Sequence, residues 1–211
     1  MIKFEEAACG RMLFSSFDEP PKPHGPWSLS PIDFRNLAHT AEDLARMLIY
    51  FDDNPDATMD YISAQSSLMH HDGKCEMVII DNLQSIKFIT NESDLSRQEK
   101  VDLVVKRAKL LAENLKIPVI LLSSLGTWVE KRLHDLRPGL TDLPWAQNIE
   151  TYADIILLLY RPTQFDILSD DDGNSALGKG EIIIANNRGK ETGSVFFKHN
   201  GGISRIEDLQ D

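Results

Sequence analysis

Cysteine and basic residues are scarce in this sequence, and it has no long apolar run. Two cysteines, Cys9 and Cys75, are too few for a disulfide framework and lack the paired spacing of a zinc site. The 22 Lys and Arg residues are outnumbered by 33 Asp and Glu, and the net charge of −11 argues against a generic basic nucleic-acid coat. Apolar runs such as Ile155–Tyr160 are far shorter than the roughly 20 residues of a membrane-spanning helix.

A secretory leader is not predicted either. Glu5 and Glu6 fall where the apolar part of a signal peptide would have to lie within Met1–Ser16. We therefore expect a reduced, cytoplasmic protein without a membrane partner. The 211 residues, of which 42% are hydrophobic and 26% charged, are typical of one soluble globular domain.

Helical and strand patterns alternate along the chain in the order typical of an α/β fold. Ser30 and Pro31 predict the start of a first helix, a second helix is predicted over Ala57–His70, and Leu48–Phe51 predicts a short strand between them. Three continuous apolar runs are of the kind shown by parallel strands buried on both faces, namely Met77–Asp81, Pro118–Leu122 and Ile155–Tyr160.

Capping and turn residues define the remaining elements. Ser96 and Glu99 form a capping box for a helix that ends before Pro118. The strands Glu181–Asn187 and Ser194–His199 flank a turn and predict a C-terminal hairpin. The acidic segment Ser169–Gly180 predicts a mobile, solvated loop, and it also contains Gly173–Gly180, a near match to the phosphate-binding pattern G-x-x-x-x-G-K-[ST]. We interpret that match as chance, because glycine replaces the Ser or Thr and a strand, not a helix, follows.

Polar residues at three strand ends are candidates for nucleotide chemistry, since ligands of open parallel sheets bind beyond the carboxyl ends of the strands. Asp81 either organises Mg²⁺ or simply begins a loop. Ser123 and Ser124 suit either a contact to phosphate or a tight turn. Arg188, in the hairpin turn, is either a solvated charge or a group that reaches a neighbouring subunit's phosphate.

The run Val78–Gln84 resembles the "IDYLQ" motif of the DnaB-type replicative DNA helicases, which are RecA-like ATPases. Further runs match motifs of that family in the same order: Ile49–Asp53 ("IYIDD"), Leu122–Arg132 ("LSQLNRxxExR"), Asp142–Arg161 ("DLR…IEQDAD…YR") and Glu181–Arg188 ("EIIIxKxR"). The motifs agree in order and spacing over nearly the whole chain. The resemblance implies a RecA-like three-layer sandwich with a mostly parallel sheet and a C-terminal antiparallel hairpin, in which residues 1–211 form one partial ATPase domain.

The resemblance also implies a catalytic apparatus, from which this chain departs. ATP and Mg²⁺ are the expected ligands, with Asp81 organising the metal and Arg188 acting in trans as an arginine finger in a hexameric ring. Ser124 stands where the family has a glutamine that senses the γ-phosphate, and Asn186 stands where it has lysine. The match begins after the family's phosphate-binding loop, so productive ATP binding by this chain alone is not expected.

The missing phosphate-loop strand would be an interior strand of the family's sheet. It would lie between Val119–Leu122 and Ile155–Tyr160, whose backbone groups would otherwise be unpaired. Either these two strands pair directly with each other, or another polypeptide supplies the missing piece.

A locally basic segment indicates where single-stranded DNA would bind. Gln84–Leu140 has 10 Lys and Arg against 7 Asp and Glu, opposite in sign to the whole chain. The resemblance places DNA-binding loops at Phe88–Arg97 and Gly126–Leu140, and the candidate contacts are Arg97, Lys131, Arg132 and Arg137. The alternative is an ordinary solvated surface. Trp128 either stacks on a base or packs against the protein.

Two functions follow as hypotheses. The first is a replicative-helicase-like ATPase domain that hydrolyses ATP and unwinds DNA within an intact ring of helicase subunits. The second is a non-catalytic RecA-like remnant that binds helicase subunits or single-stranded DNA without turnover. The two substitutions, Ser124 and Asn186, favour the second hypothesis, since truncation alone does not explain them.

Overall fold

The computed structural model describes residues 39, 41, 46–89, 92, 94–132, 135–169, 173–200 and 205–209. The predicted helix that begins at Ser30 lies largely outside the described residues. The α-helices and strands whose bounds fall within these described residues are, in chain order, α1 (Met59–His71), β1 (Val78–Ile80), α2 (Arg97–Leu115), β2 (Val119–Leu121), α3 (Ala146–Tyr152), β3 (Ile156–Tyr160), β4 (Lys179–Asn186), β5 (Gly193–Asn200) and β6 (Arg205–Asp208). None of the described helices is long and apolar enough to cross a lipid bilayer.

The chain divides into two compact units. One unit contains Asn54–Phe165 and Glu181–Val195, and the other contains Met1–Asp53, Asp166–Gly180 and Phe196–Asp211. The candidate site residues all lie in the first unit.

Helix α2 begins where its capping residues predict. The Ser96 hydroxyl accepts a hydrogen bond from the Glu99 amide at 3.3 Å, and the Glu99 carboxylate accepts one from the Ser96 amide at 2.8 Å. Both hydrogen bonds lower the pKa of Glu99, and the bond with the Ser96 side chain has the larger effect. The helix ends at Leu115 and is followed by Lys116, which has a left-handed φ of 56°, two residues before Pro118. The predicted capping box is therefore confirmed.

The strands form one parallel pair and one antiparallel sheet. In the parallel pair, Val78 of β1 lies opposite Val119 of β2. The second sheet has the order β3-β4-β5-β6, in which β3 pairs antiparallel with β4 and β5 with β6. The predicted α/β fold with C-terminal antiparallel strands is confirmed. The antiparallel part extends beyond the predicted hairpin, because β3 and β6 belong to it as well.

Two apolar clusters hold the first unit together. The larger joins α1, β1 and α2 through residues such as Met59, Ile80 and Val104, the last only 1% exposed. The smaller joins Leu143, β3 and β4, and Ile149 of α3 packs against both clusters. Burying a Val, Leu, Ile or Met side chain contributes about 1.5–3 kcal/mol, so these clusters fix the frame on which the strand ends are placed.

The short strand predicted at Leu48–Phe51 is wrong. The segment has no regular structure, and its four side chains are between 40% and 76% exposed. A short apolar run does not by itself distinguish a strand from other structure, so this pattern alone was a weak guide. Further along the chain, Thr58 forms an isolated parallel bridge with Lys87.

Burial of the apolar strands on both faces is also wrong for the described residues. Side chains alternate along β3, with Ile156 and Leu158 buried and Leu157 and Leu159 about 60% exposed. Ile79 of β1 is 62% exposed in the same way. The buried side chains face the two clusters, whereas no described element covers the other face. Neither β2 nor β3 has a described strand beyond it, and they do not pair directly with each other.

The segment Ser169–Gly180 differs from the predicted solvated loop where it is described. Ser169 and Ser175 form an antiparallel bridge, and Ala176 is only 3% exposed. Lys179 and Gly180 already belong to β4, so a strand does follow the glycine-rich run, as predicted, and no helix N-terminus is available for phosphate in this described part of the segment. The three aspartates of this segment lie outside the described residues.

Candidate functional site

The ends of β1 and β2 are fastened together by backbone hydrogen bonds. The Leu122 amide donates to the Ile80 carbonyl at 3.0 Å, and the Leu83 amide donates to the Leu122 carbonyl at 2.8 Å. Asp81, directly after β1, is exposed, and Ser123 and Ser124 directly follow Leu122. The parallel pairing thus brings these candidate residues to one edge of the sheet, as the sequence predicts.

Gln84 connects the two strand ends through its side-chain amide. Its Nε2 donates to the Ser123 hydroxyl at 3.0 Å, and its Oε1 accepts from the Ser124 amide at 3.4 Å. Gln84 ends the motif run Val78–Gln84, but its role as a bridge could not be predicted from the sequence. Its contacts join residues about 40 positions apart. An amide group therefore lies beside Ser124, at the position where the family that the sequence resembles is expected to have a glutamine.

Asp81 suits one part of a magnesium–nucleotide site. Mg²⁺ is commonly held by one or two carboxylates together with phosphate oxygens and water, and Asp81 offers one exposed carboxylate at the sheet edge that also carries Ser123 and Ser124. Among the described residues there is no cluster of three or more His, Cys, Asp or Glu that could hold a metal by itself. They also include no phosphate cradle, so the cation would need the oxygens of a nucleotide held by other residues.

Arg188 is held at the turn between β4 and β5 by three contacts. Its backbone has a left-handed φ of 39°, and its amide donates to the Asn186 side chain at 3.0 Å. Its guanidinium forms an ion pair with Asp154 at 2.8 Å and donates to the Tyr152 carbonyl at 3.4 Å. The side chain is nevertheless 52% exposed, so it remains within reach of a molecule outside the chain.

Asp154 is shared between Arg188 and a lysine of α2. Lys109 contacts both carboxylate oxygens, at 2.9 and 2.8 Å. The hydrogen bond from Lys109, together with the positive charges of Lys109 and Arg188, lowers the pKa of Asp154. Asp154 therefore keeps a counter-ion even when Arg188 turns away.

The four basic candidates for DNA binding divide into two pairs. Arg97 and Lys131 are exposed, and the Arg97 guanidinium carbon lies 6.0 Å from the centre of the Trp145 ring. Arg132 and Arg137, in contrast, are engaged by acidic groups of the same chain.

Arg137 is paired with a buried glutamate of β4. Its Nε and Nη2 donate to the two Glu181 oxygens at 2.9 and 2.5 Å, and Nη2 also donates to the Ser194 hydroxyl at 3.0 Å. The Arg137 hydrogen bonds lower the pKa of Glu181 and raise the pKa of Arg137 itself. These hydrogen bonds hold the C-terminal part of the loop against β4 and β5.

Asp142 organises the loop that carries three of these cations. It is 1% exposed, and its carboxylate accepts hydrogen bonds from Arg132, from the Trp128 indole N–H at 3.3 Å and from the Gly139 amide at 2.8 Å. Its backbone carbonyl accepts from the Gly126 amide at 3.0 Å. Asp142 thus joins both ends of residues 126–140. In the sequence, Asp142 is only part of a matching run, and nothing in that run reveals its partners.

Comparison with known proteins gives a family match over most of the chain. The sequence model described as "DnaB-like helicase C terminal domain" matches residues 21–208. The chain is 31% identical over 177 residues to "Replicative DNA helicase DnaB" of Mycobacterium leprae (strain TN), covering 84% of this chain and 28% of the relative. It is 34% identical over 167 residues to the protein of the same name from Geobacillus stearothermophilus, covering 79% of this chain and 35% of the relative. The chain thus spans about a third of the length of such relatives.

Two solved structures show the same fold. One is described as "The Structure Of A DnaB-Like Replicative Helicase And Its Interactions With Primase", and it superimposes with a TM-score of 0.84 over 99% of this chain and 49% of the other. The second, described as an ATPase domain, has the same TM-score and is covered over 72% of its length. Each is 24% identical to this chain. The predicted RecA-like architecture is therefore confirmed.

Proposed function

Because this chain belongs to the DnaB-like helicase C-terminal domain family, we propose that it serves as part of the ATPase ring of a replicative DNA helicase. Its relatives are replicative helicases of which it spans only a part. In our proposal, ATP hydrolysis in the hexameric ring that this chain forms with other helicase subunits drives DNA unwinding in the cytoplasm.

The half-exposed Arg188 is the observation that carries this proposal. A guanidinium in the turn of a hairpin can reach the phosphates of a nucleotide bound to an adjacent subunit, where it stabilises charge that develops during phosphoryl transfer. Its partner Asp154 is also exposed, and an exposed ion pair contributes only about 0–1 kcal/mol. Exchange of Asp154 for a phosphate therefore costs little, since Lys109 continues to balance the carboxylate.

At the strand ends, Asp81 is proposed to face Mg²⁺ and Ser124 the nucleotide. Mg²⁺, when bound with ATP, would neutralise charge on the phosphates. We propose that this chain alone does not bind ATP productively. That proposal is supported by the lack of a phosphate cradle among the described residues and by Ser124 and Asn186, which replace the expected glutamine and lysine.

Exposed apolar side chains on β1 and, separately, on β3 support completion of the sheet by another polypeptide. Ile79, Leu157 and Leu159 are each about 60% exposed, and β2 and β3 have no described strand beyond them. Exposed groups of apolar side chains are costly in water and often mark surfaces that become covered.

We propose that single-stranded DNA runs along the loops before α2 and after β2. Arg97 and Lys131, which are exposed, are the direct phosphate contacts in this proposal. Arg132 and Arg137 contribute positive charge and hold the second loop in place, because Asp142 and Glu181 already engage them. Such binding weakens steeply as salt concentration rises and shows little sequence preference.

The alternative is a non-catalytic remnant that binds helicase subunits or single-stranded DNA. One structural observation favours it. Asn186 uses its side chain to accept the Arg188 amide and shape the turn, so at this position a turn-forming contact replaces the expected cation.

Titration with a fluorescent ATP analogue and Mg²⁺ tests the nucleotide part of the proposal. The chain alone is expected to show no saturable binding, and Asp81→Ala is expected to change nothing in this assay. Tight binding that Asp81→Ala abolishes would contradict the proposed incompetence. A matched variant, Asp94→Ala, alters an exposed acid away from the strand ends and controls for net charge.

A further inference from the structure

We propose that Trp128 is a stacking surface for one unpaired base of single-stranded nucleic acid. This inference rests on the proposed function, in which the loop 126–140 meets single-stranded DNA, and adds a contact that recognises bases rather than phosphates. The four basic candidates are proposed as contacts to the backbone, whereas an indole ring offers a flat π-surface that accepts any base.

The first observation is that the Trp128 ring is presented to solvent. The residue is 48% exposed and belongs to neither apolar cluster of the first unit. Its neighbour Val129 is only 3% exposed and anchors this part of the loop. A tryptophan used for packing is normally well buried, and leaving half of so large an apolar side chain in water carries a cost.

The second observation is that the ring is held in a fixed orientation. The indole N–H donates to the Asp142 carboxylate at 3.3 Å. The six-membered ring lies against the backbone of Gly126, so closely that a Cβ at that position would overlap with ring atoms. Gly126 is therefore required for this close approach. Because the ring is ordered before binding, a base stacks on it without a further loss of side-chain entropy.

The third observation is that two cationic residues, Lys131 and Arg132, closely follow Trp128 in the chain. Lys131 is exposed, and Arg132, one third exposed, is bonded to the same carboxylate as the indole. Glu130 adds one negative charge to this run of sequence. Aromatic rings next to basic side chains are the usual combination in proteins that bind single strands without sequence preference. The basic residues attract the phosphates, and the indole is placed to take the adjacent base.

The test measures binding of the whole chain to two fluorescein-labelled oligonucleotides of equal length. One is oligo-dT and the other carries abasic sites throughout, so that both have the same phosphates. The wild-type chain is expected to bind oligo-dT roughly 5- to 150-fold more tightly than the abasic strand. Trp128→Leu is expected to lose this difference and to keep the salt dependence, since no phosphate contact is removed.

Two further variants keep the result interpretable if Trp128→Leu perturbs the loop. Trp128→Phe retains an aromatic face without the N–H and is expected to keep part of the preference for bases. Trp145→Phe is the matched control, because Trp145 packs against the larger cluster and Arg97 lies over its ring. Quenching of tryptophan fluorescence by oligo-dT should persist in Trp145→Phe and be strongly reduced in Trp128→Leu.

Equal binding of both strands by the wild-type chain, or an unchanged preference in Trp128→Leu and Trp128→Phe, would overturn the stacking role and leave the proposed DNA-binding function standing. Failure of the wild-type chain to bind either strand at low salt would overturn both.

Discussion

The substitution Asp142→Asn provides the sharpest structural test of the loop. Both carboxylate oxygens accept hydrogen bonds: one from Arg132 and the Trp128 indole, the other from the Gly139 amide. Asparagine has a single acceptor oxygen, so in either orientation its NH₂ group must face a donor. The less costly orientation keeps the oxygen towards Arg132 and opposes the Gly139 N–H. Lost charge and one unsatisfied buried donor together lower the free energy of unfolding by about 2–3 kcal/mol.

Urea denaturation measures this cost, and Asp135→Asn is the matched control. Asp135→Asn replaces a carboxylate by an amide in the same loop, but Asp135 is exposed. Asparagine also tolerates the left-handed φ of 51° at this position. The control should alter the free energy of unfolding by less than about 0.5 kcal/mol. In a thermal scan, Asp142→Asn should lower Tm by roughly 4–12 °C. Equal effects of the two substitutions would refute the view of Asp142 as the centre of the loop.

Three other predictions concern stability and charge. Leu111→Ala, at a side chain only 4% exposed, should lower the free energy of unfolding by about 2–5 kcal/mol in chemical denaturation. Leu110→Ala, at a side chain 46% exposed on the same helix, should lower it far less, and equal losses would contradict the assigned helix face. The pKa of Glu181 is lowered in the fold, so its contribution is fully present above the ordinary glutamate pKa of about 4.3 and is lost as pH falls through the lower folded value. The stability difference between wild type and Glu181→Gln should therefore shrink when urea titrations are moved from pH 7 to pH 3, and a constant difference would exclude this origin. Asp154→Asn removes an exposed partner and should change stability by less than about 1 kcal/mol, and a larger loss in the same assay would show that the pair is structural.

Local signals allowed the main elements to be predicted from the sequence. The capping box of α2 depends on two residues three positions apart, and the alternation of strands and helices follows from apolar runs and the turns between them. Long-range partners could not be predicted in this way. The apolar run Ile155–Tyr160 correctly indicated a strand, but its burial depends on which element covers each face, and only one face of β3 is covered by described residues.

The candidate site shows the same division. Residue types at strand ends pointed to Asp81 and the two serines, and the parallel pairing of β1 with β2 brings these residues to one edge. The sequence did not show that Gln84 bridges the strand ends or that Arg132 is bonded to Asp142, because these contacts form only when distant segments pack together. Charge counting treats every arginine in the loop alike, whereas burial of the acidic partner decides which guanidinium is engaged.

The central claim, that this chain acts on nucleotide held by a neighbouring helicase subunit, is tested most directly by ATP turnover in mixed rings. The replicative helicase of Geobacillus stearothermophilus, 34% identical over the matched residues, would be prepared with its own finger arginine replaced by alanine, and this chain would be added in excess. Rings shown by co-elution to contain the chain should regain ATP hydrolysis with the wild-type sequence and not with Arg188→Ala. Mixed rings that stay inactive with the wild-type chain, or a chain that never enters them, would contradict the account.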